Sequence, residues 1–132
     1  MSSICDVEQG DALSEDKYPS TAWDNASERD KTKALAQASQ LIRNLSFSDA
    51  YSEDLDNVVA ACFELAYALL DGADPEQEMK AAYQSVSAFD VLRIGKNDTV
   101  HPRILHGIVS HQAWIYLQPY LIDPRAIKLS RI

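Results

Sequence analysis

The chain contains few of the residues that build common catalytic and metal sites. Its 132 residues include two cysteines, three histidines and four glycines. The glycines form neither a G-x-G-x-x-G motif nor a P-loop, and neither Cys5 nor Cys62 belongs to a Cys-His motif. We therefore predict a protein that is not an enzyme and needs no cofactor. Two reduced thiols are expected, with a disulfide as the lesser alternative.

Long apolar runs are also missing. No stretch approaches the roughly 20 residues that a membrane-spanning helix needs. The first residues, MSSICDVEQGD, have neither the basic nor the apolar part of a signal peptide. Apolar residues make up 46% of the chain and charged residues 24%. This composition is typical of one soluble globular domain.

Basic residues are scarce in the middle of the chain, where nine acids and no base lie between Asn44 and Met79. Residues 1–100 carry a net charge of −11 and residues 101–132 a net charge of +3. Proteins that bind nucleic acid tightly need several Lys or Arg side chains to displace counterions. This balance therefore disfavours a nucleic-acid reader, although the basic end of the chain suits an acidic partner.

The three histidines, His101, His106 and His111, lie at intervals of five residues. On a helix, each interval turns about 500°, so the three side chains point in different directions. A zinc pair on a helix needs an interval of four. We predict no metal site here.

The hydrophobic pattern predicts a mainly α fold, a small bundle of about four helices. Ser27 and Asp30 form an S-x-x-D capping box before the first helix. Ser52 is a plausible N-cap of the second, and Gly72 is a suitable residue to end it. The four helices are predicted at about residues 28–45, 53–71, 75–83 and 102–118.

Three other segments are predicted to be extended. Residues 1–22 are predicted to form an N-terminal arm, with a frayed terminus as the alternative. Apolar and other residues alternate from about residue 84, which favours a short strand or hairpin over 84–100; continuation of the third helix is the alternative. The predicted organisation is an arm over 1–22, a helical domain over 23–121 and a basic tail over 122–132.

The last helix carries aromatic residues outside the face predicted to point to the core. That face is formed by Ile104, Leu105, Ile108 and Ile115. Aromatic residues are enriched at the energetic centres of interfaces. We therefore predict a subunit interface, with burial in the core as the alternative, at Trp114, Tyr116, Leu117 and Tyr120.

Four parts of the chain together resemble a known family. They are Trp23, SERDKTKALAQASQLI at 27–42, VAACFELAYALL at 59–70 and AWIYLQPYL at 113–121. Their order and spacing resemble those of the small head–tail connector proteins, also called adaptor or head-completion proteins, of tailed bacteriophages. The resemblance extends from Trp23 to Leu121.

The resemblance implies a virion protein, assembled in the host cytoplasm, that forms a ring of usually twelve copies beneath the capsid portal. Its partners would be the portal protein, a tail or nozzle protein, and genomic DNA that passes through the channel without specific binding. Acidic residues would line the channel, namely Asp49, Glu53, Asp54 and Asp56. The basic tail would dock on the portal through Arg125, Ile127, Lys128, Leu129, Arg131 and Ile132.

Two other functions stay open at the level of sequence. Some relatives in this family carry a primosome-protein-like description, which implies a small nucleic-acid-binding module. A small helical regulatory protein, with the last helix as its binding face, is the other alternative.

Overall fold

A computed structural model of the chain describes residues 3–92 and 102–122. Over these ranges the chain is helical, with no strand beyond one isolated antiparallel bridge between Phe47 and Leu121. The prediction of a mainly helical fold is confirmed. The described helices are α1 (Val7–Ser14), α2 (Thr21–Asp24), α3 (Glu28–Arg43), α4 (Asp56–Leu70), α5 (Pro75–Leu92), α6 (Pro102–Leu105), α7 (His111–Leu117) and a 3₁₀ turn (Gln118–Tyr120).

Helix α4 lies at the centre of the fold, with α3 packed along one side and α7 along another. The Ser27 hydroxyl accepts a hydrogen bond from the Asp30 N–H at 3.1 Å, so α3 begins where its cap was predicted. The wide apolar stripe of α4 is buried at Val58, Ala61, Cys62, Phe63, Leu65 and Ala66. Because these residues surround much of the helix axis, α4 needs neighbours on more than one side.

The N-terminal segment is not the extended arm that the sequence predicted. It contains α1, which begins with a reciprocal capping box between Asp6 and Gln9. The Gln9 N–H donates to Asp6 Oδ1 at 2.8 Å, and the Asp6 N–H donates to Gln9 Oε1 at 3.0 Å. Ile4 and Cys5 are buried in the core just before it. The prediction missed this helix because α1 is short and has little apolar periodicity.

Trp23 attaches the N-terminal segment to the helical body. Its ring is buried and meets the Phe63 ring edge-on, with 5.1 Å between centroids. Its indole N–H donates to Asp11 Oδ1 at 2.9 Å. Gly10 lies directly against the ring, where an added Cβ would fall 2.5 Å from Cη2 and Cζ2. The close approach of α1 to Trp23 therefore requires glycine at position 10.

Helix α4 is shorter at its start than predicted. Ser52 does not cap it. The Ser52 hydroxyl accepts a hydrogen bond from the Asp54 N–H, and the Ser52 carbonyl accepts one from the Leu55 N–H, so Ser52 forms a separate turn before the helix. The helix ends as predicted at Gly72, whose φ of 103° places it in the left-handed region. The Ala73 N–H donates to the Ala68 carbonyl and the Gly72 N–H to the Leu69 carbonyl, the two bonds of a Schellman motif.

The strand predicted from residue 84 onward is wrong over residues 84–92, where α5 continues as a helix. Met79, Ala82, Val86 and Phe89 follow one another at steps of three or four, a spacing that also fits one helix face. Extending an existing helix costs less than nucleating a new element, and a strand needs a partner to pair with. Residues 93–100, the rest of the predicted hairpin, lie outside the described residues.

The single helix predicted over 102–118 is divided into α6 and α7. Gly107, with φ of 78°, ends α6 in a second Schellman motif: its N–H donates to the Ile104 carbonyl, and the Ile108 N–H donates to the Arg103 carbonyl. Ser110 then caps α7 through the Ala113 N–H at 3.1 Å. Because of this break, the side chains of α7 point in directions different from those they would have in one continuous helix.

We predict that Gly10→Ala destabilises the protein by about 1–3 kcal/mol, because the new methyl group overpacks the Trp23 ring. Helix propensity alone would favour alanine by about 1 kcal/mol, so the sign tests the contact. Urea unfolding measures the change in the free energy of unfolding. Ala12→Gly, at an exposed site on the same helix, measures the effect of helix propensity alone. The loss of stability caused by Gly10→Ala should be smaller in a Trp23→Phe background. An equal loss in both backgrounds would contradict the role of the contact between Gly10 and Trp23.

Candidate interaction surfaces

The predicted interface residues of the last helix divide into two groups. Trp114 and Leu117 are buried in the core of the chain, so the core alternative is correct for these two. The break at Gly107 turns them inward and leaves Ile115, predicted to be in the core, 44% exposed. Tyr116 and Tyr120 are half-buried at the edge of the core.

The C-terminal end of the described chain is fixed beside the loop that joins α3 to α4. The Ser48 N–H donates to the Tyr120 carbonyl at 2.8 Å, and the Ile122 N–H donates to the Ser46 carbonyl at 3.2 Å. These bonds flank the bridge between Phe47 and Leu121. The predicted docking tail, from Arg125 to Ile132, lies outside the described residues, but it follows directly from this point.

The loop and the start of α4 hold the four acids predicted to line a channel. Asp49, Asp54 and Asp56 are exposed to solvent. Asp56 also occupies the first turn of α4, where the helix dipole favours a negative charge. These three carboxylates form an exposed acidic surface, which we call the acidic loop.

Glu53 differs from the other three because it belongs to a bidentate ion pair. Arg43 Nε contacts Glu53 Oε2 at 2.8 Å, and Arg43 Nη2 contacts Glu53 Oε1 at 2.8 Å. The hydrogen bond from Arg43 lowers the pKa of Glu53 below its ordinary value. Glu53 thus joins the end of α3 to the loop, and its place in a channel lining stays a prediction.

Tyr51 completes the packing of this loop. Its ring stacks on Phe47, with 3.7 Å between centroids and 8° between planes. Burial, followed by the nearby Glu53 carboxylate, raises the pKa of Tyr51 to about 12. The loop is therefore held by stacking and by the ion pair between Arg43 and Glu53.

The two thiols are free, as predicted, and both are buried. Ser39 links their surroundings: it accepts from the Ile4 N–H at 2.8 Å, donates to the Leu35 carbonyl at 2.8 Å and contacts Cys62 Sγ at 3.4 Å. Burial, followed by the neighbouring Cys62, raises the pKa of Cys5 to about 12. Burial also raises the pKa of Cys62. Thiolates are disfavoured at both positions at neutral pH.

Two shallow clefts meet at Lys17, beside α4. Lys17 Nζ contacts Glu64 Oε1 at 2.9 Å and lies 4.6 Å from the centre of the Tyr67 ring. The Tyr67 hydroxyl donates to the Pro19 carbonyl at 2.9 Å. The ammonium group of Lys17 and the hydroxyl group of Tyr67, where the clefts meet, therefore already have partners within the protein.

The histidines do not converge in the described structure. His106 is half-buried, His111 is exposed at the start of α7, and His101 lies outside the described residues. Over 3–92 and 102–122, no three His, Cys, Asp or Glu side chains form a group that could hold a metal ion. In the same ranges, no helix is both long enough and apolar enough to cross a membrane.

Helix α5 presents a surface that the sequence prediction did not identify, although residues 75–83 were predicted to be helical. None of the side chains over residues 75–84 is buried, and Tyr83 is 50% exposed. The main contact of α5 is with α6, where Arg103 Nη1 lies 3.1 Å from Glu78 Oε1 and donates to the Ile108 carbonyl at 2.8 Å. The helix is therefore anchored near its start and presents an outer face.

Comparisons with protein-family models, with curated proteins and with solved structures find no match to this chain.

We predict that Glu53→Gln lowers the free energy of unfolding at pH 7 by about 1 kcal/mol, a value typical of a well-formed, partly exposed ion pair. The pKa of Glu53 is lowered by folding, so its contribution is present above the ordinary glutamate pKa. It is lost as the pH falls through the lowered pKa. Wild type and variant should therefore converge in acid.

Urea unfolding between pH 7 and pH 3 measures this effect. Asp54→Asn is the matched control, since it removes an exposed acid from the same loop. An equal loss of stability in both variants, or a constant difference at all pH values, would contradict a specific role for the pair between Arg43 and Glu53.

Proposed function

We propose that the protein is a structural connector subunit, assembled in the host cytoplasm into a ring between the capsid portal and the tail of a tailed bacteriophage. The ring would hold about twelve copies and continue the DNA channel. The proposal rests on the resemblance of four chain segments to this family. The observation that carries it is the way those segments pack together.

The four segments belong to one core. The second and third correspond to α3 and α4, which pack along each other, and the fourth corresponds to α7 with the turn that follows. Trp23 meets Phe63 of the third segment, and Leu121 of the fourth pairs with Phe47 after α3. Their order and spacing thus reflect one packing arrangement, which supports a resemblance of the whole domain rather than of separate amphipathic helices.

The acidic loop supplies a surface suited to a DNA channel. Asp49, Asp54 and Asp56 are exposed and lie within eight residues of each other. Like charges repel the phosphate backbone, so DNA can slide past without the counterion release that would trap it. In the proposed ring these carboxylates face the channel, while Glu53 stabilises the loop that carries them.

The tail supplies the proposed contact with the portal. The tail intersperses three bases with three apolar residues: Arg125, Lys128 and Arg131 with Ile127, Leu129 and Ile132. An extended segment of this kind can add to a sheet edge or enter a groove, with main-chain hydrogen bonds for affinity and side chains for specificity. Because Ile122 is bonded to Ser46, each tail would leave the ring from a defined point.

We predict that deletion of residues 124–132 abolishes docking on the portal and leaves the helical domain folded. The probe is the portal protein encoded in the same genome, with binding followed by co-sedimentation and folding by circular dichroism. The triple variant Arg125→Gln, Lys128→Gln, Arg131→Gln keeps the length of the tail and should weaken docking at low salt. Unchanged binding after the deletion would contradict the role of the tail.

Electron microscopy of the full chain with that portal tests the function as a whole. We expect a ring of this protein on one face of the portal. No ring on the portal, together with DNA binding that weakens steeply with salt, would overturn the proposal and support the nucleic-acid-binding alternative.

A further inference from the structure

The two cysteines of the chain lie together in the core, although they are far apart in the sequence. Cys5 lies just before α1 and Cys62 lies within α4, and both side chains are fully buried. Ser39 of α3 connects them: its Oγ accepts from the Ile4 N–H at 2.8 Å and lies 3.4 Å from Cys62 Sγ. One hydroxyl group thus touches both the Cys62 sulfur and the backbone directly before Cys5.

The backbone of Cys5 also contacts the sulfur of Cys62. Burial raises the pKa of Cys62, and hydrogen bonds from the Ser39 hydroxyl and the Cys5 backbone N–H oppose this in part. A hydrogen bond of this kind places the Cα atom of Cys5 about 4–5 Å from Cys62 Sγ, a separation that a disulfide can span. The Cys5 thiol now donates to the Asp6 carbonyl at 3.4 Å. Rotation of the Cys5 side chain away from this weak bond is therefore the main movement that a disulfide requires.

The segment before α1 controls access to both sulfurs. Burial raises the pKa of Cys5 to about 12, so the folded protein holds it as an unreactive thiol. Residues 3–6 form no helix and are fixed to the body through the buried Ile4 and Cys5. Local opening of such a segment costs less than global unfolding. Opening would expose Cys5 and uncover Cys62 on the side that faces it.

We propose that Cys5 and Cys62 form a redox switch, in which exchange with a low-molecular-weight disulfide such as oxidised glutathione joins the segment before α1 to α4. When the segment opens, the Cys5 thiolate attacks one sulfur of the small disulfide. A mixed disulfide forms, and the other half leaves and takes up a proton. When the segment closes, the Cys62 thiolate attacks the Cys5 sulfur and displaces the second half. Two protein thiols are thus oxidised, and the small disulfide is reduced to two thiols.

This switch goes beyond the proposed connector function and does not depend on it. Protein thiols stay reduced in the cytoplasm and are oxidised outside the cell. A chain carried in a virion would therefore assemble with free thiols and acquire the disulfide after release. Only this timing rests on the proposed function.

Incubation of the folded full chain with oxidised glutathione tests the switch. Peptide mass spectrometry without reduction should find Cys5 joined to Cys62 within one chain, with two hydrogen atoms lost from the intact mass. The oxidised chain should melt about 10 °C higher than the reduced chain, because the bond closes a long loop. Dithiothreitol should reverse the shift. Cys62→Ala is the matched control: it should keep glutathione on Cys5 and show no such rise.

Two further variants test whether the segment before α1 controls the reaction. Ile4→Ala weakens the attachment of the segment and should speed disulfide formation by about tenfold or more, because the open form becomes more populated. Leu45→Ala removes an equally buried side chain at the end of α3 and should change the rate little. Equal acceleration in both variants would mean that the thiols react through global unfolding, and would overturn the role of local opening.

The same treatment in urea, where both thiols are exposed, gives the rate of the unprotected reaction. A folded wild-type chain that keeps both thiols free, or that carries glutathione on each of them, would overturn the switch. That result would leave the connector function intact, because neither a ring nor a portal takes part in the reaction. Absence of a ring on the portal would overturn the connector function and leave the switch intact.

Discussion

The packing of Trp23 is the constraint on which the rest of the fold depends. Its ring contacts Gly10 of α1, lies 5.0 Å from Lys31 Nζ of α3 and meets Phe63 of α4. A ring of this size stabilises the fold by on the order of 3 kcal/mol when buried. Because three helices meet on one side chain, the N-terminal segment belongs to the body and covers part of α4, which α3 and α7 also contact.

Two residues that were predicted to form a subunit interface are buried in the core of the chain. Trp114 and Leu117, first considered for contacts with partners, are buried and cover α4 instead, and Glu53 is paired with Arg43. The exposed surfaces that remain include the acidic loop and the outer face of α5 over residues 75–84. The acidic loop is exposed and carries charge of one sign, a property that steers and orients protein association.

These surfaces suit assembly because each occupies a different part of one rigid unit. The acidic loop and the origin of the tail are joined by the bonds around Phe47 and Leu121. In the proposed ring, these bonds would give the acidic loop and the point where the tail begins the same relative position in every copy.

Local chemistry in the sequence was sufficient to predict α3, the stop at Gly72, the free thiols and the exposure of Asp49, Asp54 and Asp56. Caps, helical periodicity and clustered charge act over a few residues, so they can be recognised without knowledge of the fold. The tertiary structure decided the orientation of Trp114, the helical state of residues 84–92, the pairing of Glu53 and the docking of α1 on Trp23. Each of these depends on contacts between residues distant in sequence, such as Gly10 with Trp23, and no local pattern specifies those contacts.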